Sequence, residues 1–170
     1  LESQALPPTV QAIIQARIER LDGPARRMLE RAAVLGREFD LAVLAAINDS
    51  AEDLQRALAH ARNQDLIYPV RTDLRPTYRF KHVLTQVAVY AGLSPVERKA
   101  LHARVLRSME VEYAAWTEEA VEAFAYHAMH GELWEEAVRY NRQAAQKALA
   151  RSAFLEAGLA FEHALAAHAH

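Results

Sequence analysis

Apolar residues recur at helical spacing through the first 63 residues, and this pattern predicts four helices. The first lies in "PPTVQAIIQARIERLDG" and ends near Gly23. The second follows the capping residue Asp22, and a short third helix follows Asp40. The fourth, in "SAEDLQRALAHARNQ", has Ser50 and Asp53 in the spacing of a capping box. The residues predicted to face inward are Val10, Ile13, Ile14, Ile18, Leu21, Met28, Leu29, Ala32, Leu35, Leu54, Leu58 and Ala61.

Alternating polarity then predicts two short strands, "DLIYPV" and "PTYRF", joined by the polar turn "RTDLR". Pro69 has no backbone N–H to donate, so we expect an edge hairpin. Helices followed by a small two-stranded β-hairpin is the order of a winged-helix domain. We therefore assign residues 1–92 to a winged-helix domain.

After Tyr90 the pattern is helical throughout, so the predicted fold class is mainly α. Ser94 and Pro95 predict the start of a connecting helix within residues 93–116. In residues 117–170, "WEEAVRYNRQA" and "FLEAGLAFEHA" each place alanines three and ten residues after an aromatic residue. Small residues at this spacing let helices approach closely, as in an antiparallel, TPR-like helical array. A generic helical hairpin remains the alternative.

Charge and composition exclude several classes of protein. The chain has 20 basic residues (Lys and Arg) and 22 acidic residues (Asp and Glu). Residues 1–80 contain 11 basic and 11 acidic residues, and residues 81–170 contain 9 basic and 11 acidic residues. Neither part has the basic excess of a nucleic-acid surface. The lack of cysteine fits the cytoplasm, and neither a membrane span nor a signal peptide is expected. Because the sequence ends within an amphipathic pattern, we expect a fragment of a longer protein.

The sequence contains no recognisable arrangement of catalytic residues. The five glycines stand singly, so a phosphate-cradling loop is not expected, and neither a nucleophile elbow nor a catalytic cysteine is present. His127 and His130 have the spacing of one helix face, but HEXXH is absent, and both suit a helix C-terminus before Gly131. We therefore expect no metal site and no enzyme activity in this chain.

A winged helix raises the possibility of DNA binding through the fourth helix. That helix is predicted to expose Gln55, Arg56, His60, Arg62 and Asn63. Because Glu52, Asp53 and Asp65 flank these residues, the phosphate contacts that DNA binding needs are poorly supplied. A DNA-binding transcription regulator is therefore the alternative function, and DNA is an improbable partner.

Three stretches resemble one bacterial family: "LPPTVQAIIQARIERLDGPARRMLERAAVLGREF", "YRFKHVLTQVAVYAGL" and "ERKALHARV". They are similar to the region that follows the ATPase core in STAND/AAA-type regulators, which often carry a class III adenylate/guanylate cyclase or a kinase module and a tetratricopeptide array. The resemblance implies a non-catalytic regulatory segment that couples nucleotide state to an effector domain. Its implied partners are the upstream ATPase domain of the same chain and an unknown protein on the helical array. ATP or ADP and Mg would bind the parent protein, with no cofactor in this segment.

The resemblance also suggests a role for Lys81 and His82. In related STAND proteins, a histidine near the end of the winged helix reaches the β-phosphate of ADP. Aligning the following leucine puts Lys81 at that position, whereas residue type points to His82. Either side chain can donate to a phosphate. Both assignments stay open, as does a structural alternative in which Lys81 is solvent-exposed and His82 only caps the next helix.

Overall fold

The computed structural model describes residues 8–71 and 75–170 and is mainly helical. The described part contains nine α-helices and a three-stranded antiparallel sheet. The elements are α1 (Pro8–Glu19), α2 (Gly23–Leu35), β1 (Glu38–Asp40), α3 (Leu41–Ala46), α4 (Ala51–Asn63), β2 (Ile67–Arg71), β3 (Thr77–Phe80), α5 (Val83–Gly92), α6 (Pro95–Glu112), α7 (Thr117–His130), α8 (Trp134–Ala150) and α9 (Phe154–His168). The middle of the predicted turn, residues 72–74, and the side chain of Val10 lie outside the described residues.

The chain divides into two compact units, Leu1–Ser94 and Pro95–His170. The first unit therefore extends slightly past the predicted end of the winged-helix segment at residue 92. Helix α6, which lies in the predicted connecting segment 93–116, packs against α7 within the second unit.

The first unit has a core of large side chains beneath its sheet. The strand order is β1-β3-β2, so β3 is central and β2, with Pro69, lies at an edge as expected. Phe80 on β3 is fully buried, and its ring meets Phe39 of β1 edge-on, with the centroids 5.7 Å apart. Helices α2 and α4 pack together, and their core residues are Met28, Leu29, Leu54 and Leu58.

Two expectations for this unit are corrected. The predicted two-stranded hairpin is part of a three-stranded sheet, because β1 pairs with β3 through Phe39 opposite Tyr78. Three residues are too few to produce a visible alternation, so the pattern could not reveal β1. Ile13 was predicted to face inward but is mostly exposed, whereas Ile14 and Ile18 are buried.

Side-chain caps begin three helices of the first unit, as the sequence predicts. Asp22 accepts from the backbone N–H of Ala25 at 2.8 Å, and Asp40 accepts from Ala42 at 2.7 Å. Ser50 accepts from the N–H of Asp53 at 3.3 Å. Each cap satisfies a backbone donor that the first helical turn leaves without an intrahelical partner.

The second unit is built largely on alanine. Helix α8 packs against both α7 and α9. The four alanines predicted from the repeated segments are all buried: Ala137, Ala144, Ala157 and Ala164. The aromatic residues that begin the two segments differ, since Phe154 is 70% exposed while Trp134 is half-buried. Trp134 stacks on His170 with the ring centroids 4.2 Å apart.

Three helices end in the same unusual way. Asp65, Glu132 and Ser152 follow α4, α7 and α8 with φ values of 62°, 52° and 60°. In each case the next residue donates its N–H to a carbonyl five residues earlier: Leu66 to Ala61 at 3.0 Å, Leu133 to Ala128 at 3.0 Å, and Ala153 to Ala148 at 2.8 Å. This is the Schellman arrangement, in which glycine is the usual left-handed residue.

Candidate functional site

The Lys81–His82 pair stands where a buried strand ends and a helix begins. Phe80 fixes the strand in the core, and its N–H donates to the carbonyl of Arg37 at 2.9 Å. The N–H of Lys81 donates to the carbonyl of Leu66, also at 2.9 Å. Both Lys81 and His82 are nonetheless exposed. A rigid backbone therefore presents two donor side chains to solvent.

His82 occupies the N-cap position of α5. Its backbone is extended, with φ −124° and ψ 130°, and its side chain makes no capping hydrogen bond. The carbonyl of His82 accepts from the N–H of Thr85 at 3.0 Å, which is the first backbone hydrogen bond of the helix. The imidazole therefore does not act as a side-chain cap of α5.

Lys81 has a partner that the sequence analysis did not identify. Its ammonium group donates to the carboxylate of Asp65 and forms an ion pair with it. The pKa of Asp65 is lowered chiefly by this hydrogen bond, which outweighs the opposing effect of desolvation. The positive charges of Lys81, Arg17 and His82 lower it further by smaller amounts. Asp65 and Arg17 therefore belong to the electrostatic surroundings of the pair.

The register of the hairpin formed by β2 and β3 would have predicted that Asp65 lies close to Lys81. Ile67 pairs with Phe80 in the antiparallel ladder between β2 and β3. Residues just before Ile67 must therefore lie close to residues just after Phe80. Arg17 has no such signal, because it lies on α1, far away in sequence.

A second cluster of titratable groups lies in the second unit. His102 on α6 and His127 on α7 are 0% and 4% exposed, and their Nδ1 atoms are 2.9 Å apart. Burial lowers the pKa of His102 to about 3 and that of His127 to about 4, with neighbouring histidines adding to the effect. His127 lies in the last turn of α7, as expected, but its side chain is buried in the core.

The geometry of this cluster fits a neutral hydrogen-bonded pair. One Nδ1 must carry a proton and the other must accept it, because two protonated Nδ1 atoms would repel at this distance. The Nδ1 of His130 lies 2.8 Å from the carbonyl of Tyr126. Among the described residues, no group of three or more His, Asp or Glu side chains is arranged to hold a metal ion.

An open apolar groove of about 420 Å³ lies between α7 and α9 above α8. Its apolar lining includes Tyr126, Met129 and Leu159, and His130 and His163 lie at its margin. Beside it, α9 exposes large apolar side chains, with Leu155 87% exposed and Leu165 70% exposed.

The fold and these sites define a mainly helical protein with a small antiparallel sheet, two compact units, and no described helix that is long and apolar enough to cross a membrane. No protein-family model and no solved structure matches the chain. It is similar to a protein of Rhizobium meliloti (strain 1021) called "Uncharacterized protein R02095", with 32% identity over 161 residues. That match covers 91% of this chain but only 15% of the relative's length.

Proposed function

We propose that this chain is a non-catalytic regulatory segment of a STAND-type ATPase, in which it couples nucleotide state to an effector domain. The observation that carries the proposal is the junction between β3 and α5. There the fully buried Phe80 fixes the direction of the exposed Lys81 and His82. Either side chain would donate to the β-phosphate of ADP held by an upstream ATPase domain.

The element order of the first unit supports a winged-helix assignment. From α2 onward the order is helix, strand, helix, helix, strand, strand, and the sheet order is β1-β3-β2. A winged helix has this order, with its last two strands forming the wing. In STAND proteins, this domain is the one whose histidine contacts the nucleotide.

The helical second unit supports a TPR-like array that offers a protein-binding surface. The connections after α7 and α8 repeat the same turn, with Glu132 and Ser152 in equivalent left-handed positions. Buried alanines at matching positions of α8 and α9 allow close packing of successive helices. The groove between α7 and α9 would face the partner protein.

The length of the Rhizobium meliloti relative is consistent with this proposal. The chain is similar to 15% of that protein, so a segment of this kind occurs there within a much longer polypeptide. The upstream ATPase domain, its bound ATP or ADP and Mg, and an effector domain would belong to the remainder of the parent protein.

A winged-helix transcription regulator is the second candidate, and one feature of α4 bears on it. Arg56 is ion-paired with Asp53, and the Nδ1 of His60 lies 3.2 Å from the carboxylate of Asp22. DNA phosphates would have to compete with these carboxylates. A gel-shift titration against salt tests this candidate, because DNA binding through several phosphates requires a steep loss of affinity as salt rises.

The proposal is tested in the full-length parent by making Lys81→Ala and His82→Ala separately. A charge-assisted hydrogen bond to phosphate contributes about 1.5–3 kcal/mol. Its removal should speed ADP release by about 10- to 100-fold and raise basal signalling, because the nucleotide stabilises the closed state only through its differential affinity. Thermal stability should hardly change, because both side chains are exposed.

Lys99→Ala is the matched control, since Lys99 is also an exposed lysine with one carboxylate partner, Glu132. Its ADP release should match that of the wild type. If Lys81→Ala and His82→Ala both lower stability yet retain wild-type ADP release, the pair is structural and the proposal fails. Sub-micromolar binding of ADP to the isolated chain would also contradict it, because the chain lacks a phosphate-cradling loop.

A further inference from the structure

Asp65 is held beside Lys81 by the backbone of both segments. It adopts φ 62° at the end of α4, where its N–H donates to the carbonyl of Arg62 at 2.9 Å. The next residue, Leu66, accepts the N–H of Lys81. The Asp65 carboxylate and the Lys81 ammonium group therefore extend from two main-chain segments that are directly hydrogen-bonded to each other. Their proximity does not depend on a flexible loop.

The carboxylate of Asp65 is stabilised by positive charge, chiefly that of Lys81. Lys81 donates to it directly, and the charges of Arg17 on α1 and of His82 at the start of α5 also stabilise its ionised form. A carboxylate presents acceptor oxygens to donors in the same manner as a phosphate does. Asp65 therefore lies where an anionic ligand of these side chains would bind.

We propose that Asp65 is a built-in competitor for the nucleotide phosphate at the Lys81–His82 site. In the ligand-free chain Lys81 bonds to Asp65, and phosphate binding requires Lys81 to exchange this carboxylate for a phosphate oxygen. This inference rests on the proposed function, because it assigns the regulation of the Lys81–His82 site. Asp65 lowers the affinity for ADP and so allows the closed state to be released.

The expected size of the effect follows from the exposure of the pair. An exposed ion pair changes an equilibrium by roughly 1.5- to 5-fold, and removing the repulsion between Asp65 and a phosphate adds to this. Replacing the carboxylate should therefore tighten diphosphate binding about 3- to 10-fold at low ionic strength. The gain should shrink at high salt, because salt screens exposed charges.

Two substitutions of Asp65 are compatible with its positive φ. Asparagine and glycine both tolerate the left-handed region, so Asp65→Asn and Asp65→Gly should preserve the turn after α4. Asp65→Asn keeps a hydrogen-bond acceptor but removes the charge, and Asp65→Gly removes both. The control is Glu38→Gln, which removes another exposed carboxylate of the same unit, ion-paired with Arg79 at 2.5 Å.

The experiment is a titration of the 170-residue chain with Mg-free pyrophosphate, followed by NMR through the amide signals of Lys81 and His82. Wild type should bind weakly, both Asp65 variants should bind about 3- to 10-fold more tightly, and Glu38→Gln should match wild type. In wild type, saturating pyrophosphate should also raise the pKa of the Asp65 carboxyl group, because its largest pKa-lowering contact, the Lys81 hydrogen bond, is lost.

The outcomes separate this inference from the proposed function. If Lys81→Ala abolishes binding but both Asp65 variants bind like wild type, the competitor role is wrong and the phosphate site stands. If Asp65 and Glu38 variants tighten binding equally, a general charge effect explains the result and the specific role is overturned. If Asp65→Asn shows no pyrophosphate response, or if Lys81→Ala and His82→Ala bind like wild type, the site itself fails.

Discussion

The two units of this protein fold by different means. The first unit buries large side chains such as Phe80 and Met28, and three of its helices begin at side-chain caps. The second unit buries large side chains such as Phe124 and Leu106 in α6 and α7, but its α8 and α9 pack mainly through alanines. The N-cap residues of α8 and α9, Leu133 and Ala153, make no side-chain capping bond. The second unit also contains helix α9, whose exposed face is largely apolar.

This difference has a functional meaning. A unit with its own core and caps is suited to hold Lys81 and His82 in a fixed direction. Helix α9 packs on α8 through small side chains and keeps an exposed apolar face. We therefore expect the second unit to gain stability from further packing against that face.

Replacing one phenylalanine in each unit should show the largest contrast. Phe80 is fully buried, so Phe80→Ala should cost about 3–5 kcal/mol and unfold the first unit. Phe154 is 70% exposed, so Phe154→Ala should change stability by less than about 0.5 kcal/mol. Chemical denaturation followed by the amide signals of each unit measures both values. Similar losses for the two variants would remove the contrast.

Mild acid should weaken the second unit and spare the first. The pKa values of His102 and His127 are about 3 and about 4 in the folded chain, against an ordinary value of 6.5. Between these values the two histidines stay neutral in the folded chain but take up protons in the unfolded chain. Stability should therefore be full above about pH 6.5 and fall by roughly 2–4 kcal/mol by pH 5. The lowered pKa values of Asp22 and Asp65 affect the first unit only near and below pH 4.

Tryptophan fluorescence can follow this acid effect, because Trp116 and Trp134 both belong to the second unit. His127 and His130 of α7 both lower the pKa of His102, and His130 also lowers that of His127. A double variant, His102→Leu with His127→Leu, should flatten the pH dependence. An unchanged slope in that variant would assign the effect to other groups.

The sequence pattern predicted the parts of the fold that depend on local chemistry. Asp22, Asp40 and Ser50 cap their helices as expected, because a cap depends on residues within one helical turn. The pairing of His102 with His127 and of Lys81 with Asp65 was not predicted, because those partners lie 25 and 16 residues apart in the sequence.

The three left-handed helix ends were missed for another reason. Sequence signals for such ends depend on glycine or asparagine, and Asp65, Glu132 and Ser152 are neither. Whether Lys81 or His82 contacts a nucleotide stays a prediction, because the phosphate would be held by another domain.

A smaller effect should follow from changing those helix ends to glycine. Ser152→Gly and Glu132→Gly should each stabilise the second unit by about 0.5–1 kcal/mol, because glycine adopts a positive φ without steric cost. Thermal unfolding followed by tryptophan fluorescence measures the gain. Gln146→Gly is the control, since it places glycine at an exposed position inside α8 and should destabilise by about 1 kcal/mol. Destabilisation by Ser152→Gly would contradict the described turn.

Amide hydrogen exchange along α9 tests the central contrast most directly. Phe154, Leu155, Leu159 and Leu165 are all more than half exposed, so little burial opposes local opening of this helix. At concentrations where ultracentrifugation shows a monomer, exchange should be fast after about Ser152 and slow in α2 and α4. At higher concentrations the chain should self-associate through α9, and exchange there should slow. Slow exchange throughout α9 in a clean monomer would contradict the account.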